Sequence, residues 1–205
     1  TKFDIAKVSE EIYVQEKSIQ LNHHFSEITN EELLELNSTS LYGFQTPMKS
    51  DQFIVGRYLE HPTYRYKVFA LKDGDELLSL SIIRPIKQGD AVVLRFVDYV
   101  GTNESLTTLY PHLLNLLKQY GAEYIDLYSY GIPLHLLEEA GFQDRSILEG
   151  VVVPNYFEPF MQQNVELNCA YKLFTDDLAP VRLFKGDGDQ DRPSISKSIK
   201  KAINE

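Results

Sequence analysis

The chain has 205 residues, with 30 acidic side chains against 20 Lys and Arg and a net charge of −10. Hydrophobic residues at 43% and charged residues at 24% are the proportions of a globular chain long enough to bury a core. The acidic balance excludes a surface built to neutralise phosphates, so nucleic acid and anionic membranes are not expected partners. Cys169, the single cysteine, cannot form an internal disulfide.

No apolar run approaches the roughly 18 residues of a membrane helix. The start, TKFDIAKVSEE, has neither a signal-peptide core nor an initiator Met. The expectation is a cytoplasmic domain of a longer parent chain, with other domains of that chain as possible partners.

The opening IYVQEKSIQL partly alternates and reads as a weak first strand. TNEELLELN begins with Thr29 as N-cap and Glu32 three residues on, the spacing of a capping box. SDQFIVGRYLEHP predicts a second helix, capped by Ser50 and stopped before Pro62, with Phe53, Ile54 and Tyr58 inward. The period then changes. YRYKVFAL, ELLSLSIIRPI and AVVLRFVDYV read as three strands joined by turns at Asp73-Gly74 and Gly89-Asp90, an antiparallel meander.

A helix is expected from about Ser105 to Tyr120, with Leu106, Leu109, Leu113, Leu116 and Leu117 on one face and Gly121 past its end. AEYIDLYSY is a short strand. HLLEEAGFQDR holds a short helix with Pro133 in its first turn, a stop at Gly141 and a following strand, FQDRSILEGVVV. VELNCAYKLF alternates strictly, with Val165, Leu167, Cys169, Tyr171 and Leu173 on one face, and is expected to close the sheet and bury Cys169. KSIKKAINE reads as a basic tail helix.

From Thr29 to Phe174 this order resembles the GNAT acyltransferase superfamily. The resemblance is carried best by LLNLLKQYGAEYIDLYSYGIPLHLLEEAGF, where Ala140-Gly141-Phe142 stands as the family's helix stop and strand start. It implies an α+β / α/β fold, a GNAT-like mixed and mostly antiparallel twisted sheet flanked by helices. The organisation is then a lead-in over 1–28, the GNAT-like domain over 29–174, and an acidic loop with a basic tail over 175–205.

The resemblance also implies an acyl-CoA-dependent N- or O-acyltransferase, with acetyl-CoA or another acyl-CoA in a gap where the fourth strand splays from the fifth. The family motif is Gln or Arg, two residues, Gly, one residue, then Gly or Ala. The matching stretch RFVDYVGTNES keeps Gly101, lacks the second small residue, and has Glu104 where a pyrophosphate would arrive. Val100, Gly101, Thr102 and Asn103 are the candidate cofactor-binding positions. The family's thiolate-protonating Tyr, four residues before the Gly, is Leu137 here. Tyr130 and His135 are candidate substitutes, and Asp98 is the first candidate general base, ahead of Tyr99, Asp126 and Tyr128.

Two further stretches bear on a ligand. PNYFEPF presents Tyr156 and Glu158 between two prolines that stiffen the loop. It suits a hydroxyl-rich acceptor such as an amino sugar, or else its aromatics cover a sheet edge. KGDGDQDRP alternates Asp187, Asp189 and Asp191. Arg192 and Ser198 stand where an EF-hand needs Gly and Glu, which excludes that loop. Three readings stay open: a looser divalent site, pairing of the acids with Arg182 and Arg192, or a substrate mouth using Asp189, Asp191 and Arg192. No metal site is assigned. A small-molecule substrate is the expected partner. The alternative to an enzyme is a catalytically silent GNAT-like module that binds a ligand or partner within a larger biosynthetic protein.

Overall fold

A computed structural model describes residues 4–8, 23–36, 38–157, 160–175 and 178–188. Its centre is a five-stranded sheet in the order β1 (His24–Ile28), β2 (Lys67–Asp73), β3 (Glu76–Gln88), β4 (Ala91–Gly101), β5 (Ile125–Leu127). The first three pairings are antiparallel and β4–β5 is parallel, so the architecture is α+β with a mostly antiparallel sheet. The stretch read as a first strand, 12–21, lies outside the described residues.

Helices cover both faces. On one side lie α1 (Asn30–Glu35), a 3-10 turn over Thr39–Phe44, and α2 (Asp51–Ile54), which continues as a π-helical turn over Val55–Leu59. They pack Leu33, Leu41, Ile54 and Tyr58 onto Val68, Ile82, Val97 and Val100. The Thr29–Glu32 capping box forms as expected, and Ser50 caps α2. Phe53 differs from expectation: Ile54 and Tyr58 take the inner stripe, leaving Phe53 38% exposed.

On the other face sit α3 (Asn103–Thr107), α4 (Tyr110–Tyr120) and α5 (Leu134–Glu139), whose leucines pack on Leu94, Phe96 and Tyr99. The helix expected over 105–120 is thus two. Pro111 lies in the first turn of α4; its ring and missing N–H forbid an uninterrupted ladder from Thr107. Gly121 closes α4 at φ 57°. Gly141, at φ +90°, lies where an added Cβ would sit 2.1 Å from the Tyr110 ring, so this helix stop also packs against the first residue of α4.

β4 is buried on both faces from Val93 to Gly101, which explains its near-continuous apolar run. Phe96 pairs with Ile83 and Asp98 with Ile82, leaving Val97 as an extra, bulged residue. β5 pairs only with Leu94, Arg95 and Phe96 and then leaves. The next strand, β6 (Ser129–Tyr130), pairs with β9 (Leu183–Phe184) instead.

Two expected strands are corrected. Residues 142–153 form a 3-10 turn at Arg145–Ile147 and one bridge, Val152 to Lys7. Asp144 accepts from the Ser146 N–H and Gly150 has φ 72°, two local alternatives to a ladder. Residues 165–174 belong to no helix or strand, and Cys169 is exposed, not buried. A closing strand needs a free edge, and β9 has taken the one beside β6. β7 (Tyr156–Phe157) and β8 (Phe160–Met161) form a separate hairpin.

Candidate functional site

The bulge at Val97 turns the Asp98 side chain into a fully buried cluster. Tyr58 Oη donates to Asp98 Oδ2 at 2.6 Å, Lys49 Nζ donates to Oδ1, and the Tyr99 N–H donates to Oδ1 at 2.8 Å. Lys49 also lies 3.1 Å from Asp187 Oδ1, so one ammonium serves two carboxylates. Burial is the largest influence on Asp98 and holds its carboxyl above the usual range; Lys49 opposes this, and Asp187 adds to it. Burial, then the Asp98 charge, pushes the Tyr58 phenol far above its ordinary value. Tyr58 and Lys49 therefore stand as hydrogen-bond donors to Asp98.

A pocket of about 400 Å³ opens beside this cluster, walled by Met48, Lys49, Phe53, Arg57, Gly186 and Asp187. Its volume suits a small molecule. Arg57 spends one N–H on the Gly186 carbonyl at 3.4 Å and stacks over Tyr58. The π-helical turn carries both Arg57 and Tyr58 to the site, a local geometry common at functional positions. Met48 is 74% exposed and gives the pocket an apolar lip.

The space between the end of β4 and β6 is filled by the chain itself. Gly186 is packed so closely that an added Cβ would stand 2.1 Å from Tyr58 Oη and 3.3 Å from Val97 Cγ1. Gly131, after β6, admits the Val181 carbonyl, which would be 1.9 Å from an added Cβ. The segment is held along its length. Thr46 bonds Pro180 and Arg182 by its backbone and Ala179 by its hydroxyl. Arg182 donates to Gly101 O at 2.9 Å and Asn103 Oδ1 at 2.6 Å, and the Phe184 N–H donates to Asp187 Oδ2.

Of the candidate cofactor positions, Val100 is fully buried. Gly101 O and the Asn103 side chain are engaged by Arg182. The Thr102 N–H and hydroxyl are engaged by Ser105 in a capping box. Tyr99 Oη donates to Thr102 O and meets Ser105 Oγ at 2.7 Å. With the segment seated, the β4 edge and the start of α3 offer no fit to an acyl-CoA: the gap is filled and these groups are already paired.

The candidate proton donors are elsewhere. His135 is exposed on α5. Tyr130, 47% exposed, lies 3.4 Å from the Tyr171 hydroxyl, and neither hydrogen-bonds to Asp98. Asp126 binds Arg95 side-on through Nε and Nη2, at 2.7 Å for the latter. Arg95 also donates to Pro154 O and Asn155 O and lies 4.9 Å from the Phe157 ring centre, so residues 154–157 are tied to β4, and Phe157 and Phe160 pack against Ile5, Ile86 and Val93. Tyr128, its phenol pushed up to about 12 by burial and by Asp126, has the Lys185 ammonium over its ring. Tyr156 is 37% exposed. Glu158, Asp189, Asp191 and Arg192 lie outside the described residues. Arg182 pairs with β4 and Asn103, not with Asp187. Lys49 is the residue that sequence reading missed: QTPMKS carries no motif, and no spacing ties it to Asp98.

No family model and no curated protein matches the sequence. Among solved structures, the chain is similar to a probable acetyltransferase (TM-score 0.47, 15% identity, covering 72% of this chain and 99% of that one). It is also similar to an aminoglycoside acetyltransferase from an uncultured soil metagenomic sample, in complex with sisomicin (0.43, 11%, 74% and 97%). A third similarity is to a protein from Thermus thermophilus, TTHA1254 (0.40, 17%, 75% and 98%).

Proposed function

We propose that this chain is an acyltransferase domain acting on a small polar acceptor, an amino sugar being the acceptor class its chemistry suits. One observation carries the reading. β4 bulges at Val97 where β5 turns away, and at that point a buried acid, Asp98, stands one residue behind a ligand-sized pocket. The pocket supplies an acceptor site. Arg57 and Lys49 hold hydroxyl or carboxylate oxygens, and the Asp187 carboxylate accepts the proton that an attacking amine must lose. Asp98 and Tyr58 are positioning residues here, because they reach the pocket only through Lys49. An acyl-CoA would supply the thioester; its entry requires residues 179–184 to leave the gap while Asp187 stays beside Lys49.

The second reading is a silent module that binds a small ligand. It is favoured by that same segment, seated against two close-packed glycines, and by Leu137 in place of a proton donor. Thermal denaturation with acetyl-CoA separates the two. A ligand at 100 times its Kd adds about 2.7 kcal/mol, a melting shift of several degrees for a chain of this size. The transferase reading expects that shift, larger in Gly131→Ala, where the segment no longer seats, and a loss of turnover in Asp187→Asn at unchanged acetyl-CoA affinity. No shift in either protein sinks the transferase reading and leaves the binding module.

A further inference from the structure

The stretch Val165–Leu173, VELNCAYKL, has the alternation of a strand and no strand to pair with. Among the described residues, its backbone groups take no backbone partner, and Val165 O accepts only from the Asn155 side chain. Its side chains lie largely outward: Tyr171 is 48% exposed and Leu173 43%, and the adjoining Phe174 is 88% exposed. An unpaired alternating edge invites another strand.

The sequence of the stretch says which one. Pair it antiparallel with a second copy of itself about Cys169, and Val165 opposes Leu173, Leu167 opposes Tyr171, and Glu166 opposes Lys172. Each apolar residue of the alternating face then meets an apolar one, while on the other face Ala170 opposes Asn168. Both charges meet their opposites, and they do so twice, because a two-fold axis duplicates each contact. Shifting the register by one or two residues breaks the Glu166–Lys172 match. Lys172 is free to turn toward such a partner: its ammonium leans only on the exposed Phe174 ring, 5.4 Å away. Tyr171 is steadied by Tyr130, with ring centres 5.7 Å apart.

We propose that residues 165–173 are a homodimer interface, formed by two-fold antiparallel strand pairing centred on Cys169. The partner is a second copy of this chain, identified by the self-complementary charge and apolar pattern.

Sedimentation equilibrium and oxidative cross-linking test it together. The unmodified chain dimerises in the micromolar range, about 1–100 μM. Lys172→Glu and Glu166→Lys, each placing like charges opposite one another twice, weaken the dimer about tenfold. The double reversal, Glu166→Lys with Lys172→Glu, restores it. All the altered side chains are exposed, so far-ultraviolet dichroism and melting of the monomers serve as the folding control. Directly opposed antiparallel residues have Cα atoms about 4.5–5.5 Å apart, within the window of a disulfide. Mild oxidation therefore joins two chains through Cys169, faster in the parent and the double reversal than in either single variant, and not at all in Cys169→Ser. A chain that stays monomeric at about 1 mM, or a dimer whose affinity ignores the single reversals or is not recovered by the double, overturns the interface.

Discussion

At the scale of single residues, the site turns on one lysine and two acids. Lys49 is buried with Asp98 and close to Asp187, and removing one partner of a buried ion pair leaves an uncompensated charge, which costs far more than replacing both partners together. Lys49→Met leaves two carboxylates facing each other away from water. Urea denaturation is expected to show a loss of about 3–5 kcal/mol, part of which returns when Asp98→Asn is added. If Lys49→Met is as stable as the parent, charge does not hold this cluster together. Asp98 was visible in the sequence as an acid at the end of the fourth strand, where partial burial raises a carboxyl's pKa. Lys49 was not: it comes from a loop 49 positions away, and charge pairing across the fold leaves no local pattern. Asp187 was visible only as one of three alternating acids, with nothing to separate it from Asp189.

Among elements, the telling contrast is between the strand that formed by surprise and those that did not form. Leu183–Phe184 is too short to announce itself, yet it pairs with β6 because Gly131 lets the chain approach and Arg182 anchors it to β4. Ala at 131, forced into φ +83° with its Cβ against the Val181 carbonyl, is expected to unseat the segment. Hydrogen exchange at Arg182–Lys185 should then accelerate by about tenfold or more, with the β2–β3–β4 amides unchanged. Exchange that matches the parent at those positions would mean the segment is held by something other than this close approach. Conversely, 165–174 has the better strand pattern and no ladder within the chain. Alternation reports that a segment can bury one face; it does not report whether an edge is left to receive it. The meander was legible throughout, since its turns at Gly74 and Gly89 and its paired runs are all local.

For the whole molecule, the packing of two helical layers on one sheet sets how stability responds to acid. His112 of α4 is buried against the Phe25 ring. Burial first, then the neighbouring His23 and His24, holds its imidazole below the ordinary value. A depressed imidazole is neutral in the fold while the unfolded chain takes up a proton. The stability it contributes is therefore complete above about pH 6.5 and is lost as pH falls through that value toward the folded one. Melting temperatures taken between about pH 7.5 and 5.5 should drop for the parent and drop less for His112→Leu; equal slopes would remove His112 as the cause.

What the amino-acid order determined by itself is the part of this protein made from neighbours in the chain: the capped helices at Thr29 and Ser50, the three-strand meander, the Leu-rich helix stopped at Gly121, and the turn at Gly141. Capping, hairpin turns and periodic burial act over a handful of residues, so a short window contains both partners. What only the tertiary structure decided is the content of the gap beyond Phe96. Whether β5 follows β4 or leaves it, and which segment enters, depends on Arg182 reaching Gly101 across 81 positions and on Lys49 reaching Asp187 across 138. Those contacts form only once the sheet has brought their ends together.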